Sequence, residues 1–157
     1  MALLFRGKTR CGICGQVIQL NEPVSAFPSI IGNELDPLYI FHDASFHTAC
    51  FETHPLSPEM LNRCELLAKA SSDRVCMVCE RQVESPDDFL STGHFGGLDS
   101  GEFTYKKFHR SCLKSWKELD NFRCFLLALQ SSGKWKGPGI AWLLKTLDEH
   151  AGGEQPQ

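Results

Sequence analysis

The chain has no stretch approaching the roughly 20 apolar residues that a membrane-spanning helix needs, so no membrane role is expected. Its opening run, Met1-Ala2-Leu3-Leu4-Phe5-Arg6, is too short and too soon interrupted for a secretory leader. It also lacks an excess of positive charge. Sixteen Lys and Arg face 19 Asp and Glu, a formal net charge of −3. Residues 1–70 carry five basic and seven acidic side chains, residues 71–135 nine of each, and the remainder two and three. This balance disfavours a phosphate backbone as the main partner. A phosphate loop is missing too, because the glycine-rich stretch Gly93–Gly101 has neither the Lys-Ser/Thr pair nor the strand–helix setting of one.

Cysteine is not scarce: there are eight in 157 residues, with six histidines. Four disulfides in a secreted protein would use them all. Histidine recurring at a fixed offset from cysteine has no explanation in that scheme. The stretch Phe46-His47-Thr48-Ala49-Cys50 returns as Phe108-His109-Arg110-Ser111-Cys112. Each copy follows a Cys-x2-Cys pair, Cys11 and Cys14 in the first, Cys76 and Cys79 in the second. Three sulfurs and one imidazole suit one tetrahedral Zn2+. The expected ligands are Cys11, Cys14, His47 and Cys50, then Cys76, Cys79, His109 and Cys112, for two structural zinc ions per chain. Each filled Cys3His site adds about −1, bringing the loaded protein near −5. Free thiolates and metal sites fit a reducing compartment, so a cytoplasmic location is expected, or a nuclear one in a eukaryote.

The repeat extends past the ligands. Cys64 matches Cys124, and Asn21-Glu22-Pro23 falls opposite Pro86-Asp87-Asp88. An internal repeat implies two similar folded units. Units of this size bury thin cores and need a staple such as metal. We divide the chain into a first unit at 1–70, a second at 71–133, a C-terminal helix at 134–150 and a disordered tail at 151–157. The joint is the polar stretch 69–75.

Within the first unit, Gln16–Gln19, Val24–Phe27 and Leu38–Phe41 read as short strands. A helix is expected from about Ser45–Thr48, placing His47 and Cys50 one turn apart on one helical face. A second helix opens at Ser57 with Pro58 at its first position and an apolar stripe of Met60, Leu61, Cys64, Leu67 and Ala68. In the second unit Phe89–Ser91 and Glu102–Tyr105 read as strands. Helical spacing then runs from Phe108 to about Gln130. Trp135 is a packing anchor between glycine breaks. Ile140–His150 is a last helix with Ile140, Leu143, Leu144 and Leu147 on one side, either docked on the second unit or free for a partner.

Cys-x2-Cys, two short strands and then aromatic-His-x2-Cys resembles a treble-clef zinc finger, and Phe46-His47-x2-Cys50-Phe51 resembles the first zinc site of a LIM domain. The resemblance covers about 40 residues in each half. It implies an α+β fold of two tandem treble-clef-like zinc units with a C-terminal helix, and a tendency towards protein–protein binding. A LIM domain continues at once into a second Cys-x2-Cys half-site. Here Cys50 and Cys112 are followed by Phe51-Glu52-Thr53-His54 and Leu113-Lys114-Ser115-Trp116, so that half is missing.

The expected function is a non-enzymatic, zinc-stabilised protein-binding module: an adaptor, inhibitor or immunity-type partner. The expected contact surfaces are the unequal loops Pro28–Pro37 and Gly93–Gly101, with Ile30, Ile31, Phe95 and Leu98 as anchors or as residues folded back on the core. A nucleic-acid-binding regulator is the alternative, through Lys106, Lys107, Arg110, Lys114 and Lys117 interleaved with aromatics. A treble-clef nuclease would need further catalytic groups, for which only His42-Asp43 or His94 remain. Cys64 and Cys124 read as small core residues, as substitute ligands or as reactive thiols. His42 and His54 are alternatives to His47 only if the register differs.

Overall fold

The computed structural model describes residues 4–99 and 101–151, without the side chain of Ala151. The predicted tail, apart from Ala151, lies outside the described residues. The chain divides into two compact units. One comprises 1–31 and 36–68, the other 32–35 and 69–157. Each holds its own apolar core, one centred on Phe41 and Phe46, the other on Phe108 and Phe122.

The first unit is built on strands β1 (Val24–Ala26) and β2 (Ser45–His47), paired antiparallel with Val24 opposite His47. Helix α1 (Thr48–Glu52) follows at once, and α2 is Ser57–Ser71. The second unit repeats the pairing with β3 (Phe89–Ser91) and β4 (Lys107–His109), Phe89 opposite His109. Helices α3 (Leu119–Ser131) and α4 (Gly139–Ala151) complete it. The strands are short, so side-chain clusters rather than sheet area hold each unit together. Phe27, Phe41, Phe46 and Phe51 pack ring on ring in the first, with centroids 4.8–6.4 Å apart. Such contacts add about 0.5–1.5 kcal/mol per pair beyond the area they bury.

Several expected elements differ. The predicted strand Gln16–Gln19 is reduced to a single bridge between Val17 and Arg10. Leu38–Phe41 lies in a 3-10 helix, Pro37–Phe41, rather than a strand. Asp36 caps it by accepting the Leu38 N–H at 2.9 Å, and Pro37 occupies a first-turn position where no N–H is needed. The predicted strand Glu102–Tyr105 is a turn. Asp99 holds it by accepting the N–H groups of Gly101 and Phe103 and the Thr104 hydroxyl. The long helix expected from Phe108 is broken into a 3-10 segment, Arg110–Ser115, and α3. Trp116 makes the break with an extended backbone, its ring buried 4.6 Å from that of Phe108.

The α2 stripe is narrower than expected. Met60 is buried and Cys64 and Leu67 are half-buried, but Leu61 and Ala68 face solvent, and Arg63 is buried. Helix α4 docks through Ile140, Leu143 and Leu147 into the core of the second unit. Trp135 packs there against Phe95 at 5.8 Å and over Gly32. The loop segment Gly32–Leu35 is fastened to this unit. The Asn33 amide donates to Lys134 O and accepts from Lys136 N–H, and the Glu34 carboxylate pairs with the Lys136 ammonium at 2.9 Å. Most of the expected loop anchors are folded back on a core, the second of the two roles expected for them. Ile31 and Phe95 are each only 1% exposed, Ile30 packs against its core, and Leu98 alone of the four is exposed.

One backbone position carries a testable cost. The Gly15 N–H closes the first Cys-x2-Cys turn on Cys11 O, with φ +72°. Glu80 does the same on Cys76 O with φ +57°. A side chain in this left-handed region costs about 1–2 kcal/mol where glycine does not. Glu80→Gly is expected to stabilise the protein by about 1 kcal/mol, and Gly15→Glu to destabilise it similarly. Urea midpoints of the metal-loaded variants check both.

Candidate metal centres

In the first unit the Cys-x2-Cys turn is tied down by backbone bonds. Cys11 N–H donates to Gln16 O and Gly12 N–H to Ser45 O. The second of these sets the turn against β2. Gly12 is required here, since a Cβ would lie 2.7 Å from the buried Phe46 ring. Along β2 the side chains alternate. Phe46 points into the core, and His47 points out towards the turn. His47 thus ends the strand and precedes α1, and Cys50 stands in the first turn of that helix. The two are not stacked on one helical face as expected. The strand end and the helix start deliver them to one point.

The ligand atoms of Cys11, Cys14, His47 and Cys50 all lie within 4.8 Å of one another. His47 presents Nδ1 to the sulfurs, 3.4 Å from Cys14 Sγ and 3.8 Å from Cys50 Sγ. These are the edge lengths of a tetrahedron around an ion bonded at about 2.0–2.3 Å. Cys76, Cys79, His109 and Cys112 gather in the same way, with Cys79 Sγ 3.4 Å from His109 Nδ1. There Cys76 N–H donates to Arg81 O and Met77 N–H to Lys107 O, repeating the first turn bond for bond. Two Cys3His clusters able to hold a metal ion are thus present, and each offers a complete set of four donors.

The thiols of a cluster are not alike without metal. Burial pushes Cys11 up, but the backbone N–H groups of Cys14, Ile13 and His47 outweigh it and hold the thiol at about 6. Burial, and then the neighbouring sulfurs of Cys14 and Cys11, push Cys50 up to about 11. In the second cluster backbone N–H groups outweigh burial and lower Cys76, while burial and the sulfurs around it raise Cys112 to about 11. Metal coordination requires all of them as thiolates. Each site must therefore expel at least one proton on loading at neutral pH, from Cys50 and Cys112. Apparent affinity is expected to rise about tenfold per pH unit for each proton expelled, up to the pH at which those thiols ionise unaided. Titration calorimetry in buffers of different ionisation enthalpy counts the protons. A count of zero would contradict these assignments.

The groups around the donors complete each site. In the first cluster His47 Nε2 lies 3.1 Å from Glu22 Oε2, which also accepts the Gln19 N–H. A carboxylate on the free nitrogen of a ligating imidazole fixes its tautomer and strengthens it as a donor. The turn Asn21-Glu22-Pro23 contained the signal, because a ligand histidine needs an acceptor behind it. In the second cluster Asp87 replaces Glu22, and the Arg81 N–H and then its guanidinium hold the Cys79 thiol below its ordinary value. A cleft of about 580 Å³ opens beside the first cluster, with Cys14, Gln16, Glu22, His47 and Cys50 among its walls.

The other candidates lie elsewhere. His42 stacks on Tyr39, His54 accepts the Leu56 N–H, and His94 accepts the Gly96 N–H. Cys64 packs against the first core, but Cys124 is exposed and is no core residue. Its place on α3 explains this, since the buried residues there are Phe122, Leu126 and Leu129. The basic residues do not share one helical face. Lys106 and Lys107 sit at β4, where Lys107 donates to Asp73 O, while Arg110 and Lys114 follow in the 3-10 segment. Among the described residues no helix is long and apolar enough to cross a membrane. No protein-family model matches the chain, and neither a curated protein nor a solved structure does.

Proposed function

We propose that the chain is a non-enzymatic protein-binding module held by two structural zinc ions, each in a treble-clef-like unit similar to the first zinc site of a LIM domain. The observation that carries this reading is the closed donor set. Three sulfurs and one imidazole fill a tetrahedral shell twice, leaving no coordination position for a water or a substrate. Zinc suits a mixed sulfur and imidazole site of this shape better than the harder divalent ions. Treble-clef character is supported by the order of parts, a Cys-x2-Cys turn, a two-stranded hairpin and a helical start carrying the last cysteine. His42, His54 and His94 serve ring packing and turn bonds.

Large apolar side chains remain in solvent and supply contact chemistry, among them Leu20 at 70% exposure and Trp142 at 50%. Buried aromatic anchors dominate protein interfaces once such groups are covered. The test has two parts. Elemental analysis of protein purified without added metal should find two zinc ions per chain. A tagged pull-down from native lysate, with and without nuclease, should then recover one stoichiometric protein that survives nuclease. Loss of that protein with Trp142→Ala or Leu98→Ala would map the surface. Recovery of nucleic acid alone would replace this reading with the nucleic-acid one.

A further inference from the structure

The two clusters share their donors but not their surroundings. Three differences run in one direction. Cys14 is exposed and opens onto the 580 Å³ cleft, whereas Cys79, its counterpart, is partly buried. The residue accepting the first turn bond is Gln16, with a neutral side chain, in the first unit, and Arg81, a cation two residues after Cys79, in the second. Glu22 adds a carboxylate behind His47, and Asp87 at the matching place is not bonded to His109 in this way. Two guanidiniums approach the first unit's turn but donate to backbone carbonyls, Arg6 to Leu20 and Glu22, and Arg10 to Gly15.

A zinc-bound thiolate keeps nucleophilic electron density unless hydrogen bonds or cations draw it off, and its attack needs room for the electrophile. The first cluster has a carboxylate behind its imidazole and an open approach to Cys14. The second has the cation Arg81 two residues after its outer cysteine. We propose that the two metal centres are inequivalent: the first is a modification site, where Cys14 is alkylated by small uncharged electrophiles and the metal is then released, and the second is a staple that reacts and releases its ion more slowly. This inference rests on the zinc reading above.

With iodoacetamide the step is a simple displacement. Cys14 Sγ forms a bond to the reagent's CH2 carbon, the carbon–iodine bond breaks, and iodide leaves with the electron pair. No proton moves and no oxidant is needed. The product is a neutral thioether, a far weaker donor, so the ion is left with three good ligands and passes to a competing chelator.

The experiment uses the full zinc-loaded chain in a Cys124→Ser background, because Cys124 is exposed and reacts without holding metal. Zinc content is measured first. Iodoacetamide is then added with a chromogenic zinc chelator, and labelled peptides are mapped over time. The expected result is release in two phases of one zinc each, with Cys14 labelled during the first. Gln16→Arg should slow the first phase roughly tenfold, and Arg81→Gln should speed the second by a similar factor, the low end of what a hydrogen bond to a charged group contributes. Both positions are exposed, and Gln16→Lys serves as a second variant should Gln16→Arg fail to load. Release of both ions in one phase, labelling of Cys79 before Cys14, or rates indifferent to all the substitutions would overturn the inference. Fewer than two zinc ions per chain before reagent is added would instead overturn the zinc reading itself.

Discussion

Stripping the metal with an excess of a strong chelator is expected to unfold the protein, with loss of the helical far-ultraviolet signal and of any cooperative thermal transition. A structural zinc ion contributes on the order of 10 kcal/mol of folding free energy, and a whole domain is stable by only about 5–15. The strands are three residues long, so little else fixes the turn that carries Cys11 and Cys14. The two units can be read separately. All three tryptophans, Trp116, Trp135 and Trp142, belong to the second. Cys76→Ser should therefore halve the zinc content and shift the emission to the red, since Cys76 and Trp116 sit in the same core. Cys11→Ser should halve the zinc content and leave most of the blue-shifted emission in place. A metal-free protein that keeps its helical signal and unfolds cooperatively would rule out a structural role for the ions.

The donors were legible in the sequence because coordination chemistry fixes residue type and spacing together. Nothing else offers three sulfurs and an imidazole at Cys-x2-Cys and His-x2-Cys separations, twice. The path by which the backbone delivers them was not legible. His47 and Cys50 stand three apart, which suits a helix. The stronger local signal was the alternation of Ser45, Phe46 and His47 between core and surface, and a three-residue strand is too short for that period to stand out. Asp36-Pro37 was a helix-start signal ahead of Leu38–Phe41, outvoted by the β-forming side chains that follow.

A strict apolar stripe in the sequence is a reliable sign of burial. Ile140, Leu143 and Leu147 docked as expected. Residue type alone is a weaker sign. The apolar neighbours Phe125 and Leu126 make a core place one reading of Cys124, but the spacing of Phe122, Leu126 and Leu129 turns it outward. The residues behind the donors, Glu22 and Arg81, are beyond any spacing rule, because they differ between the two copies while the donors do not.

Arg63 is the costliest of these surprises, and Arg63→Ala is expected to destabilise the first unit by about 3–5 kcal/mol. Its Nη1 lies 3.3 Å from Asp36 Oδ2, with the two side chains only 10% and 8% exposed. Asp36 has a second task, since its Oδ1 caps the 3-10 helix that carries Leu38 and Phe41 into the core. Removing Arg63 leaves a carboxylate in a place with little water to solvate it, and the loss exceeds what the pair itself contributes. Two further variants separate these effects. Asp36→Asn keeps an oxygen for the Leu38 N–H and removes the charge, so the double variant with Arg63→Ala should recover part of the loss. Asp36→Ala removes both, and the cap costs about 1 kcal/mol more. A double-mutant cycle on urea midpoints, read with both zinc ions loaded, measures the coupling. If Arg63→Ala costs under about 1 kcal/mol, as an exposed pair would, the side chains are solvated and the ion pair does not anchor α2 to the 3-10 helix.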